Sequence, residues 1–337
     1  MSRVEQRVRS GARSGARGTV AAVLVGAVAI TLAHFIPLVG APVLALALGI
    51  AIGSIHRPAP ALIPGLRWTG RYVLQTAIVL LGATLSLTNV ARVGFRTLPV
   101  MLGTLAAALL VAYFVGRALG IQGRLRTLVG VGTGICGASA IAAVSGVIAA
   151  SEAEIAYAVS TIFVFNLVAV IMFPPIGHAL GLSQNGFGLW AGTAVNDTSS
   201  VVATGYVYGT IAGIHAVIVK LTRTTLIIPI VAVLAIVARR TDPATQGVRW
   251  VKVIPWFLGW FVFTAALKTA GAIPKSFATP ISNLSISLIA IALAAIGLST
   301  HLGDMRRVGY RPLALGTLTW FVVAITGLGL QWVSGSM

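Results

Sequence analysis

The chain of 337 residues is 57% hydrophobic and 9% charged, with a mean hydropathy of +0.97. Soluble domains carry about 25% charged residues, so this composition excludes a soluble globular protein and predicts an integral membrane protein. The net charge of +18 would suit a nucleic-acid-binding protein, but the sequence resembles no nucleic-acid-binding module. Basic residues gathered in short loops, where they orient membrane spans, explain the charge instead. The single cysteine, Cys136, excludes an intrachain disulfide.

The N-terminus is a basic arm, residues 1–18, in which five arginines precede the first apolar run. That run, from Val20 to Leu38, is longer than the ~7–15 apolar residues of a signal peptide. We therefore expect a cytoplasmic arm followed by one transmembrane transporter domain over residues 19–337. The expected location is the bacterial inner membrane, with several crossings and the N-terminus in the cytoplasm.

The fold class predicted for the chain is an all-α polytopic membrane protein, because apolar runs of about 20 residues favour membrane-spanning helices. Eleven such spans are predicted, at 19–38, 41–55, 68–87, 97–117, 127–149, 154–177, 186–206, 212–238, 251–270, 279–300 and 310–333. Pro174 and Pro175 are expected to end the sixth span. With the N-terminus inside, most basic loop residues fall on the cytoplasmic side, as the positive-inside rule requires. Arg92, Arg96 and Lys268 are among the exceptions.

Part of the chain recurs. Residues 82–98 (GATLSLTNVARVGFRTL) resemble residues 297–313 (GLSTHLGDMRRVGYRPL), with a shared RVGxR in the flanking loop. The two copies run in opposite directions under the predicted span count, which indicates inverted repeats of the kind found in secondary transporters. Chance similarity between apolar helices is the alternative. A weaker echo relates 132–148 to 192–208, and these copies run in the same direction, so either the second repeat is permuted or one segment is re-entrant.

The first polar motif of the predicted core lies within residues 130–148 and reads GTGICGASA at 132–140. Glycine lets the backbone leave helical geometry and approach a ligand closely. A helix interrupted there would present free N–H groups at the start of its second half, which suits an anion. Close helix packing through small residues is the alternative. The substrate-binding candidates in this motif are Thr133, Gly134, Cys136, Gly137 and Ser139.

The second polar motif lies within residues 190–223 and places five polar side chains in succession inside apolar sequence. An unpaired carboxylate at the centre of a membrane helix costs at least ~2.5–3.5 kcal/mol. We therefore expect an interrupted helix whose polar residues line a cavity or a buried site. Asn196, Thr198, Ser199 and Ser200 are substrate-binding candidates, and Asp197 is the coupling-ion candidate.

Lys220 and Arg223 lie one turn apart on the same face of the eighth predicted span. Both are substrate-binding candidates, because Arg offers an anion a planar fork and Lys offers a point charge. Two other roles stay open for this pair: neutralising Asp197, and reaching toward a membrane interface.

The sequence contains no recognised pattern of catalytic residues. No Ser/His/Asp order, metal-ligand spacing or phosphate-binding loop occurs, so neither enzyme activity nor a cofactor or metal is expected. The expected partners are a small-molecule anion and the lipid bilayer, with no nucleic acid. A homodimer is left open.

The two polar motifs carry a family resemblance. GTGICGASAIAA at 132–143, AVNDTSSVVATG at 194–205 and VKLTR at 219–223 resemble motifs of the YeiH family of bacterial membrane proteins, also called the sulfate exporter family. The likeness extends over most of the chain. It implies a relation to the cation:proton antiporter, bile-acid and anion transporters. It also implies a core domain with two broken helices that cross in mid-membrane beside a scaffold domain, and alternating access by an elevator-like or rocking motion.

Three functions remain at this point. The first is a secondary transporter that exports a small inorganic or sulfonated anion, such as sulfate or sulfite, with proton coupling through Asp197. The second is a sodium- or proton-driven cation exchanger of the same fold, in which Asp197 and Asn196 are ion ligands. The third is a non-transporting receptor or scaffold, which predicts continuous helices through residues 132–140 and 194–201.

Overall fold

The computed structural model describes residues 3–35, 41–241, 256–299 and 310–336, and these ranges contain helices, turns and loops but no β-strand. The helices are α1 (Arg3–Phe35), α2 (Ala41–Ile55), α3 (Ile63–Trp68), α4 (Leu74–Gly82), α5 (Leu87–Ala118), α6 (Gly123–Gly134), α7 (Ala138–Ser145), α8 (Glu152–Ala179), α9 (Gln184–Ala194), α10 (Thr198–Tyr208), α11 (Thr210–Thr225), α12 (Ile227–Thr241), α13 (Trp256–Thr269), α14 (Lys275–Ser299) and α15 (Tyr310–Ser334). One π-helical turn, Thr69–Val73, joins α3 to α4.

Within the residues that the structure describes, six helical segments are long and apolar enough to cross a membrane. They are Ala16–Ala33, Leu87–Ala118, Ala153–Ala179, Thr210–Val237, Ser276–Ser299 and Tyr310–Ser334. The all-helical, membrane-spanning character of the chain is therefore confirmed. Each of the eleven predicted spans overlaps a helix or a helix pair, but eleven crossings stay a prediction.

The chain divides into two compact units, and the first comprises Met1–Asn89 with Trp256–Met305. Its helices α2 and α14 pack backbone to backbone through small residues. A β-carbon added to Gly49 would lie 2.7 Å from the carbonyl oxygen of Ala294, and one added to Gly53 would lie 2.6 Å from that of Leu298. Glycines spaced four residues apart are the usual means of such close packing in membranes.

The second unit comprises Val90–Pro255 with Arg306–Met337 and contains both polar motifs. Stacked rings join α8, α9 and α15 in it. Trp320 stacks between Phe165 and Phe173 at 5.4 Å from each, and Phe173 stacks on Trp190 at 4.1 Å. The indole nitrogen of Trp190 donates to the carbonyl oxygen of Ala324 at 3.0 Å. These rings fix the helices that carry the second polar motif.

Two expectations about element ends have definite outcomes. Pro174 and Pro175 do not end the sixth span, because α8 continues through both to Ala179; a membrane helix tolerates proline when neighbouring groups satisfy the freed carbonyls. α1 begins at Arg3, so the predicted arm of residues 1–18 is helical from Arg3 onward and continues into the first span, and its place in the cytoplasm stays a prediction. Residues 300–309, which include most of the second RVGxR copy, lie outside the described residues, so the inverted repeat stays a prediction.

Candidate functional site

Both polar motifs contain a helix break. The first break is residues 135–137, between the end of α6 at Gly134 and the start of α7 at Ala138. The second is residues 195–197, between the end of α9 at Ala194 and the start of α10 at Thr198. The interruptions expected from the sequence are therefore present. The breaks keep the 60-residue offset of the weaker sequence echo at every boundary, so that echo marks a repeated helix–break–helix unit.

Lys220 of α11 forms hydrogen bonds with both helix breaks. Its side chain is fully buried, and its Nζ donates to the carbonyl oxygen of Ile135 at 2.7 Å and to that of Val195 at 2.9 Å. Ile135 and Val195 are the first residues of the two breaks and occupy equivalent positions. A helix C-terminus carries partial negative charge on its free carbonyls. One cation thus stabilises the C-terminal ends of both α6 and α9.

Arg223 lies one turn further along α11 and is also fully buried. Its Nη1 donates to the carbonyl oxygen of Thr193, near the end of α9. Its Nε and Nη2 have no partner among the described residues. The two cations expected to share a helix face do so, and every hydrogen bond of their side chains in the described structure goes to a backbone carbonyl. Neither forms a salt bridge with Asp197.

Asp197 acts as the N-cap of α10. Its Oδ2 accepts a hydrogen bond from the backbone N–H of Ser199 at 3.0 Å, and the hydroxyl of Ser199 donates to the same oxygen. The residue has an extended backbone, φ −92° and ψ 145°, as N-cap residues usually have. A carboxylate at this position also offsets the partial positive charge of the helix N-terminus. Its side chain is half-buried.

Asn166 of α8 binds the backbone of the second break. It is not among the site residues predicted from the sequence. Its Oδ1 accepts from the backbone N–H of Asn196 at 3.0 Å and from that of Asp197 at 3.2 Å. Both amides precede α10 and would otherwise lack a helical acceptor. The available signal was a lone amide side chain in an otherwise apolar helix, since Asn166 is the only Asn or Gln in α8.

Gly137 brings the first break against the second. It has φ 67° and ψ −131°, a conformation open to glycine and costly for other residues. A β-carbon placed there would lie 3.5 Å from the carbonyl carbon and oxygen of Asn196. Gly137 is the N-cap of α7 and supplies no side-chain hydrogen bond. In the second helix–break–helix repeat the equivalent residue is Asp197, so α10 has a carboxylate cap and α7 has none.

Asn196 is fully buried, and neither its Nδ2 nor its Oδ1 has a partner in the part of the chain that the structure describes. Buried polar groups in proteins are nearly always hydrogen-bonded, and an exception calls for a bound water, ion or ligand. Asn196, within the second break, and the free edge of Arg223, which bonds to Thr193 near that break, are therefore two unsatisfied buried groups.

The remaining predicted site residues have three kinds of environment. Thr133, Gly134 and Cys136 are buried in or beside the first break; Thr198, Ser199 and Ser200 are half-buried in the first turn of α10; Ser139 is exposed in the first turn of α7. The structure thus places all the predicted residues at the two breaks or on the helix that joins them. Within the described ranges, no group of three or more His, Cys, Asp and Glu side chains is placed to hold a metal.

This arrangement can bind a small charged ligand. Lys220 and Arg223 donate to carbonyls at the C-terminal ends of α6 and α9, and α7 and α10 begin directly after the breaks. Two cations and one carboxylate leave one positive charge in excess at the site, and neither cation has a carboxylate partner among the described residues. Continuous helices through both motifs, which a non-transporting scaffold predicts, are not what the structure shows.

The chain is similar to bacterial membrane proteins over most of its length. The model of the family described as "Conserved hypothetical protein 698" matches residues 17–316. A UPF0324 membrane protein of Streptococcus agalactiae is 40% identical over 311 residues, which cover 90% of this chain and 92% of that protein. UPF0324 membrane proteins of Clostridium tetani (38% over 314 residues, 89% and 91%) and Fusobacterium nucleatum (37% over 324 residues, 90% and 94%) are similar to the same extent. These names state a membrane protein and no cargo.

Proposed function

The chain belongs to the membrane protein family described as Conserved hypothetical protein 698, and we propose that it is a secondary transporter of a small inorganic or sulfonated anion. Its place is the bacterial inner membrane, with the N-terminus in the cytoplasm. The resemblance of both polar motifs to the YeiH family favours export of sulfate or sulfite.

One observation carries this proposal. Lys220 holds equivalent carbonyls of two helix breaks at 2.7 and 2.9 Å, deep in a unit whose helices span a membrane. Non-helical backbone at membrane depth is tolerated where it is buried in protein or lines a cavity, and transporters place their substrate sites at such breaks. A purely structural pair of helices would need neither the breaks nor a buried cation to stabilise them.

The charge at the site favours an anion over a cation. Lys220 and Arg223 are fully buried beside the breaks, and Asp197 is the one carboxylate of the two described polar motifs. Free N–H groups in the first turns of α7 and α10, the hydroxyls of Ser139 and Ser200 and the free edge of Arg223 are all donors. Donors aimed at one ligand bind oxyanions best, and an arginine edge binds them with two parallel hydrogen bonds.

The proposal extends to the working cycle. Eleven spans, inverted repeats and a core domain beside a scaffold domain would give alternating access around a mid-membrane site. Both breaks lie in one compact unit, which makes that unit the candidate for the core. Asp197 is the candidate proton carrier. Both hydrogen bonds that its carboxylate makes in the described structure go to Oδ2, which leaves Oδ1 to take up a proton.

Flux measurements test the proposal. The purified full chain is reconstituted into liposomes, and uptake of radiolabelled sulfate and sulfite is followed under an imposed pH gradient. We expect protein-dependent uptake of at least one of these anions, and protein-free liposomes and the Lys220→Met variant should lack it. No uptake for any of a panel of small anions, beside a working control transporter, would overturn the proposal.

A cation exchanger is the second candidate, and the half-buried carboxylate of Asp197 next to the unpartnered amide of Asn196 favours it. Asp197→Asn separates the two functions. A cation exchanger loses all ion binding in this variant, whereas an anion transporter keeps substrate binding and loses only the proton-coupled part of its flux.

A further inference from the structure

The side-chain amide of Asn196 is the most informative unsatisfied group in the site. Its exposed fraction is 0%, and both of its polar atoms lack a partner among the described residues. Exchanging the amide nitrogen and oxygen of Asn196 does not satisfy both atoms, in contrast to Gln331. A ligand that satisfies this amide has to offer a hydrogen-bond acceptor to Nδ2 and a donor to Oδ1.

The surroundings of Asn196 indicate where such a ligand lies. The backbone of Asn196 packs against Gly137, whose added β-carbon would lie 3.5 Å from it. Gly137 is the uncapped start of α7, a helix of eight residues. A helix N-terminus binds negative charge through its free N–H groups and its dipole. The backbone of Asn196 therefore lies beside an N-terminus that favours an anion and has no carboxylate cap of its own.

The charge balance limits the anion to one negative charge. Lys220 and Arg223 supply two positive charges, and Asp197 offsets one of them. A monoanion neutralises the site, whereas a dianion would leave buried negative charge uncompensated, which is costly. Nitrate and chloride meet the charge condition but have no donor for Oδ1 of Asn196. Sulfate at neutral pH fails both conditions.

We infer that the cargo is a singly charged oxyanion that retains a hydroxyl group, bound between Asn196 and the N-terminus of α7. This inference rests on the proposed function. Asn196 donates from Nδ2 to an anionic oxygen and accepts at Oδ1 from the hydroxyl of the ligand. Hydrogen sulfite, hydrogen selenite, hydrogen carbonate and dihydrogen phosphate belong to this class. Asn196 is thus the residue that determines specificity for the protonated monoanion.

Binding measurements on the purified full chain test the inference. Sodium hydrogen sulfite, nitrate and sulfate are titrated against the wild type, Asn196→Leu and Thr104→Val by calorimetry. Thr104 is a matched control, because it is a buried polar residue whose hydroxyl bonds only to carbonyls of its own helix. For the wild type and Thr104→Val we expect hydrogen sulfite to bind at least about tenfold more tightly than nitrate or sulfate, since one hydrogen bond to a charged group is worth that factor or more. In Asn196→Leu the preference for hydrogen sulfite over nitrate falls to about twofold or less, whereas sulfate stays disfavoured by its second negative charge.

Each other outcome has a definite meaning. Nitrate or sulfate binding as tightly as hydrogen sulfite to the wild type overturns this inference and leaves anion transport standing. No binding and no flux for any of the three anions overturns the proposed function itself. If Asn196→Leu does not fold, the wild type still decides: across a pH series its affinity for total phosphate has to follow the fraction present as dihydrogen phosphate, and an affinity that follows the dianion contradicts the inference.

Discussion

The role of Asn166 leads to a sharp stability prediction. Its Oδ1 is the acceptor for two backbone amides, those of Asn196 and Asp197, at 3.0 and 3.2 Å. Asn166→Leu keeps the number and branching of the side-chain heavy atoms and removes that acceptor. Because each buried donor left unsatisfied costs about 1–3 kcal/mol, we expect the free energy of unfolding to fall by about 2–6 kcal/mol.

Asn166→Asp is the matched variant. It keeps an oxygen at the position of Oδ1 and adds a negative charge beside the N-terminus of α10, where helix dipoles favour such a charge. We therefore expect Asn166→Asp to retain most of the stability and Asn166→Leu to lose it. The difference between the two variants reports the two hydrogen bonds together with the added charge.

Unfolding of both variants is measured in mixed micelles of a mild detergent and sodium dodecyl sulfate, with helix content as the signal. Anion flux in liposomes is measured in parallel, because loss of the second break should abolish transport even where the protein remains folded. A free energy of unfolding for Asn166→Leu within about 0.5 kcal/mol of the wild type, the usual range for inconsequential substitutions, would refute the reasoning.

Three further predictions concern single side chains or glycines. Gly137→Ala should cost about 1–3 kcal/mol of stability through backbone strain alone, since its β-carbon meets only ordinary contacts. Gly146→Ala is the control, because Gly146 has a helical φ of −68° and open space around it, and it should leave stability unchanged or raise it. Equal losses of stability in the two variants would contradict this prediction. Lys220→Met should lower anion flux at least about tenfold, the factor that corresponds to 1.4 kcal/mol, and wild-type flux in that variant would count against the site. Trp190→Phe should lower the free energy of unfolding by about 0.5–1.5 kcal/mol for the hydrogen bond lost to Ala324, and a more stable variant in the same unfolding assay would show that this bond contributes nothing.

The helix breaks could be predicted because their causes are local. Three glycines within 132–137 lower the preference for helix, and five consecutive polar residues at 196–200 cannot share one buried face. The equal spacing of the two breaks was likewise visible as a 60-residue echo. The shared helix face of Lys220 and Arg223 followed from their spacing of one helical turn, whereas their full burial did not.

What could not be predicted depends on which elements meet. The partners of Lys220 are backbone carbonyls of Ile135 and Val195. Every residue has a backbone carbonyl, so the sequence cannot indicate which of them a side chain binds. The sequence offered Asp197 as the natural counter-charge, yet Asp197 caps its own helix because the N–H of Ser199 is two residues away. Asn166 lies about thirty residues from the amides it binds, and only the tertiary arrangement brings them together.

The two prolines inside α8 differ from the sequence prediction for a related reason. Pro174 and Pro175 were expected to stop a helix on the basis of their missing N–H groups, but α8 continues to Ala179. Each proline removes one donor and crowds one turn. A helix packed on several sides, here by stacked rings of Phe165 and Phe173, retains its path where an isolated helix would break.

A crystal structure of the full chain grown with hydrogen selenite would test the central claim most directly, because selenium gives an anomalous signal that locates the anion independently of the protein map. We predict one buried selenium peak within hydrogen-bonding distance of the Asn196 side chain, beside the first turn of α7. Selenium peaks confined to the protein surface, with no anion beside the two helix breaks at saturating concentration, would contradict the account.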